Sequence, residues 1–252
     1  MRRYDAAVFD MDGTILDTIE DLRDALNHSL KQFGHKGDYT AREVCMFFGS
    51  GARAGVMRAL AAEQGATEAE ILHIGEEHSG DAACGERSWP DFAISDETVS
   101  GILEFYAPWY REHCAIKTGP YPGIIPLIGE LSSAGVRSAV VSNKPDPAVQ
   151  MLCRDYFPDV FDFSLGEIAG IRRKPFPDMV LRCLEALHVP SDRAVYIGDS
   201  EIDIRTAANA GLDCISVDWG FRSRAFLEKA GSTRIASSCD EVADIILGRK
   251  QE

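Results

Sequence analysis

Strand-length apolar runs and helix-period segments take turns through the second half of this chain, and that alternation most narrows what it can fold into. The runs at 136–142, 161–165, 194–198 and 214–217 have the length of strands. Between them, 124–133, 146–153, 178–187 and 201–210 carry apolar residues at three-to-four spacing, the period of a helix packed along one face. Strands alternating with helices build a parallel sheet covered on both sides. A further run, Ala6, Ala7, Val8 and Phe9, lies near the start and is apolar at every position, as a strand buried on both faces must be. It stops abruptly at Asp10-Met11-Asp12-Gly13-Thr14.

The first half reads differently. From Ile19 onward apolar residues recur at Leu22, Ala25, Leu26, Leu30 and Phe33, with Gly34 as a helix stop. Thr40 with Glu43 and Thr67 with Glu70 have capping-box spacing, and Asp96 is expected to cap a helix through Tyr106 or Tyr110. Residues 79–94, with Trp89 and Pro90, show no period and are expected to be loop. The predicted fold is therefore α/β, a Rossmann-like doubly wound parallel sheet over 1–17 and 118–252, interrupted by a mostly helical cap over 18–117.

Composition enters as an exclusion. Hydrophobic residues make up 45% and charged residues 26%, as in folded globular domains, so a disordered chain is ruled out. The net charge of -14 repels a nucleic-acid backbone, and no nucleic-acid partner is expected. Seven cysteines without a CxxC pair read as reduced thiols of a cytoplasmic protein. The apolar run after Arg2 and Arg3 is too short for a signal peptide, and no stretch reaches membrane-spanning length, so no membrane association is expected.

In open α/β sheets ligands bind beyond the carboxyl ends of the strands. Those positions hold Asp10 and Asp12 after the first run, Ser142 and Asn143 after the next, then Lys174, then Gly198-Asp199-Ser200 with Asp203 one turn later. DxDGT followed in order by Ser, Lys and GDxxxD resembles the four motifs of the haloacid dehalogenase superfamily. Tyr110, His113, Thr118, Pro120-Tyr121-Pro122-Gly123, Ser142-Asn143-Lys144-Pro145 and Lys174-Pro175 extend that resemblance to its phosphoglycolate phosphatase-like branch. Gly49-Ser50-Gly51 resembles the cap loop that contacts substrate there.

Elementary chemistry supports the same residues. Phosphate-monoester hydrolysis is among the slowest uncatalysed reactions and calls for a nucleophile, neutralised charge and a proton for the leaving oxygen. Asp10 can be the nucleophile, giving an aspartyl phosphate, and Asp12 the proton carrier. Asp10, Asp199 and Asp203 beside a phosphate dianion would repel by about 4 kcal/mol per pair at ~4 Å and an effective dielectric of ~20. A hard divalent cation with oxygen ligands relieves this, and Mg2+ fits best. The resemblance implies ligation by Asp10, Asp199 and the backbone carbonyl of Asp12, with Asp203 behind them. Lys174 supplies fixed positive charge, and Ser142 binds phosphoryl oxygens together with Gly13, Thr14 and Asn143. Gly49, Ser50, Gly51 and Arg53 are the substrate-binding candidates of the cap, which is expected to close over the core.

The expected partner is a small phosphorylated metabolite, phosphoglycolate first among them by resemblance. A phosphomutase acting on sugar phosphates stays open as an alternative, although Thr14 leans toward hydrolysis by resemblance. A non-catalytic phospho-Asp signalling or scaffold protein is the other alternative. His73 and His78 lack the spacing of a zinc helix, and Tyr106, Trp109 and Tyr110 are read as helix packing. Arg172 with Arg173 is read as a solvated pair.

Overall fold

The structure, a computed structural model, describes residues 3–74 and 92–249. The expected loop over 79–94 falls outside these except for its last three residues, as do His78 and Trp89. The chain divides into two compact units, Thr18–Thr118 on one hand and Met1–Asp17 with Gly119–Glu252 on the other.

Among the described residues the regular elements of the inserted unit are all helices: α1 (Ile19–Gln32), α2 (Ala41–Phe47), α3 (Gly51–Glu63), α4 (Glu68–His73) and α5 (Asp96–His113). Both capping boxes form. The Thr40 and Thr67 hydroxyls accept from the Glu43 and Glu70 amides, and each glutamate accepts from its threonine's amide. At α5 the cap is Ser95, whose hydroxyl accepts from the Thr98 amide; Asp96 is the first helical residue and pairs with Arg53 at 2.7 Å. That helix runs past Tyr110 to His113, with Trp109 stacked on His113 in its last turn. Buried Asp21 accepts from the amides of Ile116, Lys117 and Thr118, so a carboxylate in the first turn of α1 ties together the two ends of the insert. The Arg58 guanidinium is fully buried and donates to the carbonyls of Phe47, Leu72 and Ile74, satisfying the open ends of α2 and α4. Among the described residues no helix is long and apolar enough to cross a membrane.

The other unit carries β1 (Ala6–Phe9), β2 (Leu16–Asp17), β3 (Gly119–Pro120), β4 (Arg137–Pro145), β5 (Phe163–Glu167), β6 (Ala194–Gly198), β7 (Asp213–Val217) and β8 (Ile235–Ala236). Between them lie α6 (Ile124–Ser133), α7 (Asp146–Tyr156), α8 (Asp178–Leu187), α9 (Glu201–Ala210), α10 (Arg224–Lys229) and α11 (Cys239–Leu247). Six strands form a parallel sheet in the order β5-β4-β1-β6-β7-β8, the doubly wound arrangement expected. Side chains alternate across it. Ala7 and Phe9 join a core under α6, α7 and α11, whereas Ala6 and Val8 join another under α8 and α9. Burial on both faces is why β1 has no polar position; a charge at Val8 would have no partner on either side.

Several boundaries differ from the sequence reading. β4 continues to Pro145, with a shift in its pairing to β5 between Val141 and Pro145, so Ser142, Asn143 and Lys144 lie within the strand's end. β2 and β3 pair antiparallel where the chain leaves for the insert and returns; two-residue strands are too short to show a period. β8, α10 and α11, beyond the last expected strand, complete the sheet and cover it.

Candidate active site

β1 sits between β4 and β6 with Phe9 level with both Val140 and Ile197, so the residues that follow these strands emerge at one sheet end. Asp10 leaves β1 with its amide still bonded to the Ile197 carbonyl, 2.9 Å, and one carboxylate oxygen accepting from the Met11 amide, 2.7 Å. Asp199 follows β6 and Asp203 lies in the first turn of α9. The three carboxylates are buried, and one oxygen from each falls within 4.8 Å of the others.

Lys174 joins this group from the segment before α8. Its Nζ stands 2.8 Å from Asp10 Oδ1 and 2.8 Å from Asp203 Oδ1, and donates to the Tyr196 hydroxyl at 3.1 Å. Asn143 holds it there: its side-chain amide donates to the Lys174 carbonyl and accepts from the Lys174 amide, at 3.1 and 2.9 Å. Asn143, expected at the phosphate, therefore also fixes the backbone of the lysine. The second Asp203 oxygen accepts from the Ser200 amide and hydroxyl, which leaves both of its oxygens engaged.

Asp199 is held at both carboxylate oxygens. The buried Thr14, also expected at the phosphate, donates its hydroxyl to Oδ1 at 3.1 Å, and the Phe221 amide donates to Oδ2 at 2.6 Å. Trp219 Nε1 donates to the Thr14 carbonyl. Arg222, 1% exposed, forks onto Glu201 at 2.9 and 3.1 Å and fixes the loop that carries the Phe221 amide. Two glycines permit the approach. A Cβ on Gly13 (φ +82) would lie 2.3 Å from Asp199 Oδ2, and one on Gly220 would lie 2.2 Å from the Gly13 carbonyl and 2.5 Å from Asp199 Oδ2. Gly220→Ala is accordingly expected to displace Asp199 and lower Tm, which thermal melts check.

Asp12 has its Oδ1 3.0 Å from the buried Lys144 ammonium, and its charge also acts on Asp10. Ser142, 2% exposed, accepts from the Lys144 amide at 3.2 Å. Gly49, Ser50, Gly51 and Arg53 belong to the helical unit. Gly49 and Gly51 have positive φ on either side of Ser50, whose hydroxyl accepts from Arg58. Arg53 is taken up by Asp96 and Ser100. Sequence gives no role to Lys144, Arg222 or Arg58. Each is a lone basic residue whose meaning comes from a partner brought close by folding, and only the Ser142-Asn143-Lys144-Pro145 stretch marked one of them.

The charges do not balance among these side chains. Burial pushes the Asp10 carboxyl up to about 7; Lys174 opposes this and Asp203 adds to it. Burial, then Asp203 and Asp10, raise Asp199 well above the carboxylate range, against the Phe221 amide and Arg222. Burial disfavours the Lys174 ammonium, yet Asp10 and Asp203 hold it well above its ordinary value. Three carboxylates face one ammonium, and the open donor atoms are all oxygen. That donor set fits a hard divalent cation, and Asp10 with Asp199 would hold it while Asp203 braces Lys174.

The model of the family described as haloacid dehalogenase-like hydrolase matches residues 7–217. A crystal structure of a candidate phosphoglycolate phosphatase from Lactobacillus delbrueckii subsp. bulgaricus is 49% identical, with a TM-score of 0.91 over 99% of this chain and 100% of that one. A phosphoglycolate phosphatase of Mesorhizobium japonicum is 30% identical over 86% of this chain and 84% of its own length. The crystal structure of CbbY from Rhodobacter sphaeroides in complex with xylulose-(1,5)bisphosphate is 25% identical, with a TM-score of 0.65 over 94% and 95% of the two chains. With the sheet order, the convergent carboxylates and these likenesses in agreement, the chain belongs to the haloacid dehalogenase-like hydrolases.

Proposed function

We propose that this protein is a Mg2+-dependent phosphatase of small phosphate monoesters, working through an aspartyl phosphate on Asp10, with phosphoglycolate as the leading substrate. The observation that carries the reading is the contact of Asp10 with Lys174 inside a buried carboxylate cluster short of positive charge. The substrate guess rests on the phosphoglycolate phosphatase relative.

In the first step an Asp10 oxygen bonds to phosphorus while the bond to the ester oxygen breaks, and Asp12 gives that oxygen its proton. In the second, water attacks the acyl phosphate, Asp12 takes a proton back, and phosphate leaves with Asp10 free again. Lys174 favours the ionised form of Asp10 and fixes its orientation, and is itself held by Asp203 and Tyr196. Ser142, Asn143, Gly13, Thr14 and neighbouring amides are assigned to the phosphoryl oxygens, and Gly49, Ser50, Gly51 and Arg53 to ester preference. Magnesium, when bound, supplies the neutralising charge the carboxylates lack.

The test is release of inorganic phosphate from a panel of small esters, phosphoglycolate included, with magnesium and with chelator. Turnover that needs magnesium is expected; interconversion of sugar phosphates without phosphate release would overturn the reading. Magnesium alone is also expected to stabilise the protein, by about 2.7 kcal/mol at a hundredfold excess over its Kd. An unchanged melting temperature across the titration would count against the cluster as its site.

A further inference from the structure

Each carboxylate of Asp10-Met11-Asp12 has its own buried lysine. Lys174 stands against Asp10 at 2.8 Å; Lys144, its side chain 3% exposed, stands against Asp12 Oδ1 at 3.0 Å. The second pair is the less constrained. The Asp12 side chain is one-fifth open to solvent, and its Oδ1 atom, though buried, accepts no hydrogen bond. Apart from the Lys144 ion pair no hydrogen bond holds that oxygen of Asp12, the residue before the left-handed Gly13. Lys144, in contrast, is anchored: it lies in β4, and its amide donates to the Ser142 hydroxyl.

We propose that Lys144 is a positioning residue for Asp12, fixing the orientation of that carboxyl so that it meets the departing ester oxygen. The proposal rests on the reading of Asp12 as the proton carrier. When Asp10 bonds to phosphorus and the ester bond breaks, the electron pair goes to the ester oxygen and the Asp12 proton follows it. A group held at hydrogen-bond distance passes that proton; one free to swing away does so rarely, and misplacement by about 1 Å costs on the order of a hundredfold. The demand depends on the leaving group. An alkoxide needs the proton, whereas 4-nitrophenolate leaves without it.

The experiment measures release of the leaving group in a single turnover by the magnesium-saturated enzyme. It compares the alkyl ester hydrolysed fastest in the panel with 4-nitrophenyl phosphate, in wild type, D12N, K144M and D12N/K144M. K144M is expected to slow the alkyl ester by about a hundredfold and the aryl ester by no more than about threefold. Adding K144M to D12N is expected to cost no further rate on either ester, because the lysine acts through the aspartate. Equal slowing of both esters by K144M, or additive losses in the double variant, overturns the proposal and makes the lysine a general electrostatic or structural element. If D12N itself slows both esters alike, the assignment of Asp12 falls first and the proposal with it. Should K144M melt below the assay temperature, K144Q carries the same expectation, since it also lacks the charge that holds the carboxylate.

Discussion

Asp10→Asn is expected to abolish phosphate release from every ester, by roughly three to six orders of magnitude, while leaving the fold intact. The amide has the shape of the carboxyl and still accepts from the Met11 amide and from Lys174, so the loss is one of nucleophilicity. The same variant carries a stability signature. Asp10 binds its proton more tightly in the folded state, because burial holds its carboxyl near 7 against 3.8 ordinarily. A raised carboxyl of this kind stabilises the native state at low pH, and that contribution is lost as pH rises from about 4 through about 7. With magnesium chelated, wild type is therefore expected to lose stability across that window relative to Asp10→Asn. Urea unfolding of the two proteins at either end of the window measures it. Parallel curves would mean that the carboxyl carries no such burden, and full turnover by the variant would remove Asp10 from the chemistry.

The larger effect on stability is expected at Lys174. Lys174→Met keeps the volume of the side chain and deletes the charge shared by Asp10, Asp203 and Tyr196. Removing one member of a buried ion pair typically costs 3–5 kcal/mol, since the remaining charge stays unpaired. At about 2–4 °C per kcal/mol for a chain of this size, the melting temperature should fall by roughly 6–20 °C in chelator. Two companions identify the cause. Saturating magnesium should return part of the loss, because another cation then faces the carboxylates. Asp203→Asn in the same chain should return part as well, by removing one of the uncompensated charges. A Lys174→Met protein as stable as wild type would show that its ammonium balances nothing.

How much of this was open to reading before any coordinates depended on range. Thr40 with Glu43 and Thr67 with Glu70 were legible because a capping box is closed within three residues. Ala6 to Phe9 was legible as a strand because burial on two faces leaves no room for a polar residue, and Asp10 was legible because it ends that run. The cap at Ser95 was misplaced by one residue, since Ser95 and Asp96 are both good caps and only the Thr98 amide chooses between them. Asn143 and Thr14 were assigned to the phosphate by position along the chain. What position along the chain leaves out is that their side chains also bond the Lys174 backbone and Asp199, 31 and 185 residues away.

Sequence alone determined the class of the fold, the alternation of strands and helices from β4 to β7, and which carboxylates stand at strand ends. These follow from periodicity and from the exclusion of charge from a two-sided core, both local properties of the chain. Tertiary structure decided which charge answers which: Lys174 for Asp10 and Asp203, Lys144 for Asp12, Arg222 for Glu201 beside Asp199. Electrostatic pairing depends on separation in space and on loss of water, and neither exists until strands distant in the chain lie side by side.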